Sequence, residues 1–456
     1  MDVTVIFDIG KTHKKFLLFD DQLNIISEHT HKTGELRDDD GDLCDDLRAI
    51  TSWVRSGLDT VMKSKDFTVK KLNFSTYGAS LVHLDGNDRA VTPLYNYLKP
   101  LPTTIEDNFY KRYGPREVFS SQVSSPALGM LNSGLQLYWL KQVKPRVYDS
   151  IKTSLHLPNY MAYLFHGKKV AELTSIGCHT ALWSFQSNGY HPWVQEERVN
   201  TKLPVIVNTC TTFPYPGDPA IQVGVGIHDS SAALIPYLVQ SQDPFILLST
   251  GTWNIALNPF NDNLLGPLDL EKDSLHYFSF EGKPVMANRL FLGNEHDVWN
   301  RKLSEYFNKS ITYHRSILPD KSIIRHLMDR KGCWDLFDLV KYHKCQNSLS
   351  PLGDEVEPTD FTSYEEAYHD LVLKLAACQV QSIGNVQGEV PIENIFITGG
   401  FIENRIFTWL LARYFTGKRV FTTSLQRASA LGAALVMGNT KEQKLGEFFV
   451  ARPIET

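Results

Sequence analysis

The stretch "DIGKTHKK", residues 8 to 15, sets a carboxylate, a glycine, a hydroxyl and three lysines between two apolar runs. Backbone N–H groups of a tight turn, the Thr12 hydroxyl and a lysine can all donate to phosphate oxygens. Asp8, at the end of the first apolar run, is a hard oxygen ligand suited to Mg2+, direct or through water. A carboxylate beside lysines therefore suits MgATP, although a solvated lysine-rich hairpin turn would read the same way. A Walker P-loop is excluded, because the required upstream glycine position holds Val5 and a strand, not a helix, follows.

Three further loops carry small, hydroxyl or acidic residues at the ends of apolar runs: "GIHDSS" from Gly226, "STGTW" from Ser249 and "ITGG" from Ile397. An aspartate at the carboxyl end of a strand facing a crevice is where α/β architectures place their chemistry, which makes Asp229 a candidate base. His228 and Asp229 also fit a helix start, since Asp followed by serines caps helices well. The other two loops would each be simple tight turns if they stood alone.

Composition narrows the partners. The chain has 456 residues, 42% hydrophobic and 21% charged, with a net charge of -5. That describes a globular protein of two large domains without the basic excess of a nucleic-acid binder, so a small-molecule partner is expected. Six scattered cysteines form no C-x-x-C pair and suggest neither a zinc site nor a disulfide framework. No signal-peptide pattern and no membrane-length apolar run are seen, and a cytoplasmic protein is expected.

These loops must be positioned by regular elements. Alternating Val3, Val5 and Phe7, then Phe16 to Phe19, predict a hairpin over residues 3 to 20. Leu47, Ile50, Val54, Leu58 and Val61 predict a helix, followed by the strand-like "KLNFSTYGASLVHLD". Helical patterns dominate residues 133 to 165, and "TKLPVIVNTC" returns to a strand. "GVGIHDSSAALIPYL" reads as a glycine-punctuated strand opening a small-residue helix. "PFILLSTGTWNIALNPF" then repeats the strand, Gly/Thr turn and strand of residues 5 to 20. Two lobes of related design follow, residues 1–235 and 236–456. In the second, a helix at 363 to 386 precedes the strand "NIFITGG", the helix "ENRIFTWLLARYF" and the small-residue "ASALGAALVMG".

The ordered set of loops resembles the FGGY carbohydrate kinases of the actin/hexokinase/Hsp70-like ATPase superfamily over nearly the whole chain. "STYGASLVHLD", "GIHDSSAA" and "STGTWNIAL" look most like the rhamnulokinase and fuculokinase branch, and "YLFHGKKVAELTSIGCHTALWS" resembles the stretch before the sugar-site strands. The resemblance implies an α/β fold of two ribonuclease-H-like domains with the active site in the cleft between them. It implies ATP and Mg2+ as cofactors, a sugar as substrate, and leaves a homodimer open. Asp229 would accept the sugar hydroxyl proton, with His228 beside it on the substrate, and Asp8 would organise the metal. Gly10, Lys11, Thr12, His13 and Lys14 would hold the β- and γ-phosphates, and Thr252 would answer from the second loop. Gly399 and Gly400 would let the backbone approach the nucleotide. Gly78, Ala79 and Asn288 would touch the sugar.

Departures from the family pattern bear on specificity: "LYNYLKP" places Asn96 where relatives often carry an aspartate, and Phe401 follows Gly400 where a third small residue is common. "DDDGDLCDD" lacks the glycine and glutamate of an EF-hand and is expected to be a solvated acidic surface. His29 and His31 have no third metal ligand nearby, and "YHPWV" is expected to pack in the core. An ATP-dependent kinase of a ketose or deoxyketose is the leading function. Kinases of xylulose, ribulose, glycerol or another polyol, and an actin-like ATP-binding module without transfer, are the competing ones.

Overall fold

The computed structural model describes residues 1–353, 357–423, 425, 427–438 and 451–454. Two seven-stranded sheets organise it. In the first, strand Asp2–Ile9 pairs antiparallel with Lys14–Phe19, which pairs antiparallel with Ile25–His31. On its other side Asp2–Ile9 runs parallel to Thr68–Thr76, and the latter runs parallel to Asp218–Gly224 and to the short Ile227–His228. The second sheet repeats this order. Strand Phe245–Thr250 is followed antiparallel by Asn254–Asn258 and then Pro284–Leu290, and is flanked in parallel by Asn394–Gly399 and Arg419–Thr423. The echo between residues 5–20 and 244–260 is thus an echo of topology: a hairpin opening each sheet, with a parallel strand beside its first member.

Parallel neighbours require a crossover, and helices supply it in both sheets. Helix Leu47–Lys63 buries Ile50, Val54, Leu58 and Val61, one apolar stripe at helical spacing, and the Asp46 side chain caps it by accepting from the Ala49 N–H. Its counterpart, the 23-residue helix Tyr364–Val386, is buried on most of its surface and is capped by Ser363. Each first strand is covered on both faces. Ile6, Leu17 and Phe19 look toward the other lobe, whereas Val5, Phe7, Ile9, Phe16 and Leu18 pack with the stripe of the first crossover helix. This double burial explains why these strands read as nearly continuous apolar runs.

Two helices join the lobes. Helix Asp229–Gln240 leaves the last strand of the first sheet and ends just before Phe245, so the border expected near residue 235 falls inside it. Helix Ala428–Leu435 crosses it so closely that the backbone of Gly432 lies against the carbonyl of Ala232. Polar ties lock the crossing: the Asn73 amide donates to the Ala433 carbonyl at 2.9 Å, and Arg427 pairs with Glu28 at 2.7 Å.

The acidic segment is the solvated surface expected at Asp39 and Asp40, which are exposed, but Asp38 and Asp45 within it are buried. The Lys99 ammonium lies 2.7 Å from Asp38, 3.0 Å from Asp40 and 2.6 Å from Asp42, and Lys144 lies 2.7 Å from both Asp39 and Asp40. Two lysines distant in sequence meet the cluster over the rings of Tyr95 and Trp139, and the Lys99 ammonium beside Asp38 lets that side chain be buried. His31 stacks on Trp53 and His29 on Phe16, so both pack against rings, and Trp193 is fully buried as core.

An exposed helical Gly→Ala change stabilises by about 0.5–1 kcal/mol. Gly432→Ala should do the opposite, because its methyl would be driven into the Ala232 carbonyl; overpacking of this kind costs about 1–3 kcal/mol. Thermal unfolding of the variant checks the sign.

Candidate active site

Strand ends from both sheets meet in one gap. Asp8 stands opposite Lys15 in the register of the first hairpin, on the same face as Ile6 and Leu17, and so looks out of its own lobe. Its Oδ2 accepts from Ser429 Oγ of the joining helix at 2.9 Å. Burial raises the proton affinity of Asp8; Lys15 opposes this and the nearby Asp229 adds to it. Lys15, Asp229, Ser249, Thr398, Gly399 and Ser429 line one cavity of about 300 Å³. Residues separated by hundreds of positions are therefore neighbours there.

Asp229 is the first residue of the helix that starts on strand Ile227–His228, so the strand end aims it into the gap. A third of its side chain stays open to the cavity, yet desolvation by the surrounding protein lifts its pKa to about 6, which the bond from Ser230 only partly offsets. His228 beside it is buried, and burial pushes its pKa down to about 3, so the ring is neutral near pH 7. Its Nε2 lies 3.3 Å from Asp229 Oδ1 and 3.1 Å from the Cys178 sulfur. Gly78 makes room for this arrangement: a Cβ there would stand 2.6 Å from Cys178 Sγ and 3.1 Å from the His228 ring. Ala79, in the left-handed region at φ 60°, is buried and its carbonyl accepts from Gln136 at 2.9 Å. Tyr97, Tyr277 and Arg289 surround the same end; the Arg289 guanidinium is held bidentate by Asp273 at 2.8 and 3.1 Å.

Several expected contacts lie elsewhere. Lys14 is buried on the face of Phe16 and Leu18, and its ammonium donates to the Lys11 carbonyl at 3.0 Å. Lys11 pairs with Asp45 at 2.5 Å between the rings of Tyr77 and Tyr97. Gly10 donates to the His13 carbonyl at 3.0 Å, which leaves Thr12 and His13 exposed at the tip of the turn. The lysine that reaches the cavity is Lys15. Asn288 is fully buried and shares the strand face of Met286 and Leu290, donating to the Lys272 carbonyl at 2.6 Å; Arg289, one residue on, takes the cleft side. Both differences have one cause, the alternation of side chains across a strand. Asp8 and Lys15 share the face of Ile6 and Leu17, which looks toward the other lobe.

A second cavity of about 540 Å³ adjoins, lined by Gly251, Thr252, Gly293, His296, Gly400, Phe401, Asn404 and Arg405. Gly399 and Gly400 stand between the two spaces. Gly399 has φ 92° and lies against the Thr250 carbonyl, so no side chain fits; Gly400 has open space where a side chain would project. The Thr250 hydroxyl ties the loops, accepting from the Phe401 N–H at 3.0 Å and donating to the Thr398 carbonyl at 2.6 Å. Phe401 turns its ring onto His296 and Phe407 and so forms one wall of this cavity.

A desolvated carboxylate between two lobes of like topology, beside two cavities that meet at a glycine pair, defines a two-domain phosphotransferase of the actin-like ATPase fold. The model of the N-terminal domain of the FGGY family of carbohydrate kinases matches residues 3–196 and that of the C-terminal domain matches residues 242–320; the chain belongs to this family and is an ATP-dependent sugar kinase. It is 22% identical over 460 residues to a rhamnulokinase of Halalkalibacterium halodurans, a match covering 95% of this chain and 92% of the relative. A rhamnulokinase of Oceanobacillus iheyensis is 22% identical over 410 residues, 86% of this chain and 83% of the relative. Among solved structures, a carbohydrate kinase from Novosphingobium aromaticivorans superposes with TM-score 0.77 at 22% identity, covering 99% of this chain and 94% of that one. A xylulose kinase from Lactobacillus acidophilus superposes with TM-score 0.78 at 16% identity, covering 99% and 93%.

Two outcomes follow. Lys15→Met should lower kcat by about 10²–10³, the scale for removing one donor to developing charge, whereas Lys14→Met should act on thermal stability and leave kcat within about threefold. For pH, only the carboxylate form of Asp229 accepts a proton, so kcat/KM should fall about tenfold per unit below about pH 6. A profile flat down to about pH 4 would mean an ordinary carboxylate.

Proposed function

We propose that the chain transfers the γ-phosphate of MgATP to a hydroxyl of a ketose or deoxyketose of the L-rhamnulose or L-fuculose kind, with Asp229 as the base. The observation that carries this reading is the Asp229 carboxylate, set at a strand end in a cavity shared with Lys15 and bordered by the Gly399–Gly400 turn. A module that only bound ATP would gain nothing from holding a carboxylate out of water there. The substrate class is supported by the two rhamnulokinases, each matched along most of its length. Xylulose and glycerol kinases of the same fold keep those substrates as the second reading.

In this reading His228, Gly78 and Tyr97 border the sugar, and the attacking hydroxyl gives its proton to Asp229. Lys15 faces the phosphoryl group from the first lobe, while Gly251, Thr252 and Gly400 line the nucleotide side. Asp8 fits a divalent cation: it is a buried carboxylate whose nearest charges are one lysine and a second carboxylate, an arrangement that a hard cation would relieve. Bound there, Mg2+ would neutralise charge on the phosphates. Asp8 and the Ser429 hydroxyl would orient it. We assign the two domains to either side of the helix Asp229–Gln240, so that closing about this helix excludes water from the transfer. Among the described residues no helix is long and apolar enough to cross a membrane, and a cytoplasmic location is part of the same proposal.

Asp229→Asn should lower kcat by about 10²–10⁴ while ATP still binds. Coupled ADP release across a panel of ketoses and polyols tests the substrate class; no sugar raising release above the sugar-free rate would overturn the reading.

A further inference from the structure

Residue 427 breaks two local rules. It caps helix Ala428–Leu435, a position that favours Ser, Thr, Asp or Asn, yet it is an arginine whose side chain makes no capping bond. Its backbone is left-handed, at φ 62° and ψ 38°, where glycine is at ease and a long side chain is not. The ion pair with Glu28 does not offset both departures. A single contact, from Nε at 2.7 Å, joins side chains that keep 32% and 23% of their surface exposed, and pairs of that kind contribute little. Stability alone therefore does not account for this arginine.

Its place in the gap does. Arg427 lines the cavity of about 300 Å³ together with Lys15, Asp229, Ser249 and Gly399. In the register of the first sheet Glu28 stands opposite Leu17 and Thr30 opposite Lys15, so Glu28 and Lys15 are diagonal neighbours on the face turned to the other lobe. Such neighbours are roughly 7–8 Å apart. By accepting from Nε, Glu28 fixes the guanidinium beside the Lys15 side chain. Nη1 and Nη2 have no hydrogen-bond partner among the described residues, which leaves to a ligand the edge that matches two oxygens of one phosphate.

Phosphoryl transfer spreads negative charge over the equatorial oxygens of the moving group, and Lys15 is a single point charge that already stands opposite Asp8. We propose that Arg427 is a second cation for the transferred phosphoryl group, with Nη1 and Nη2 donating to its oxygens while Lys15 faces it from the first lobe. As the sugar oxygen bonds to the γ-phosphorus, the bond to the bridging oxygen breaks and ADP departs with the electron pair. The hydroxyl proton goes to Asp229, and Arg427 keeps all of its own. This rests on the kinase reading above. The arginine leads the joining helix and Glu28 belongs to the first lobe, so the pair that ties the lobes also sets the cation.

Two variants separate charge from tether. Arg427→Gly removes the cation and suits the left-handed backbone, so thermal stability should be retained. Its kcat should fall by about 10²–10³, the scale for one lost donor to developing charge, with the sugar KM within about twofold. Glu28→Gln ends the ion pair but keeps an oxygen that accepts from Nε, so kcat should fall by less than about tenfold. Arg427→Gly with kcat within about threefold of wild type overturns the proposal, and so do equal losses in the two variants, since both would cut a mere tether. Should the glycine variant not fold, Arg427→Met answers by the same comparison. Failure of the kinase reading is distinct, since the wild-type enzyme itself would then turn over no sugar.

Discussion

The active site depends on the close crossing of two helices, Asp229–Gln240 and Ala428–Leu435, where Gly432 meets Ala232. Two backbones can approach this closely only where side chains are nearly absent, and that approach brings the two sheets near enough to share a cavity. One helix begins with Asp229 and the other carries Ser429 to Asp8. The contact that holds the lobes together therefore also places Asp229 and Asp8, and a change in the crossing would be felt at both carboxylates.

Holding carboxylates out of water is expensive, and the surroundings decide what the expense achieves. Asp45 and Asp38 are buried too, but each faces a lysine, so their charge is compensated and their role is structural. Asp229 has no comparable ion pair to offset its desolvation, which the bonds from Ser230 reduce only in part, and its proton is held to about pH 6. That is the condition of a base whose proton affinity lies close to the working pH. The same low-dielectric setting keeps His83, His156, His179 and His228 neutral, each with its pKa near 3.

Topology was legible early because it is written in local patterns. The hairpin at residues 2 to 19, the crossover helix with its stripe from Ile50 to Val61, and the second hairpin at 245 to 258 each follow from periodicity and turn residues over a short window. The loops at 8, 229, 250 and 399 were recognisable because small and acidic residues at the end of an apolar strand are chemically conspicuous. Less legible were the partners of the acidic segment 38–46: nothing local announces Lys99 and Lys144, which arrive from distant elements to pair with its first four aspartates.

What the chain alone determined is the order of elements, the family to which its loops conform and the position of Asp229 at a strand end, since all three depend on residue types within a few turns of backbone. Tertiary structure decided which neighbour in each pair faces the cleft, Lys15 rather than Lys14 and Arg289 rather than Asn288. Both faces of these strands are buried, so hydrophobicity does not mark which one looks toward the other lobe. It also brought together Cys178, His179 and His228, a meeting that packing between segments 50 residues apart produces and that no local interaction foreshadows.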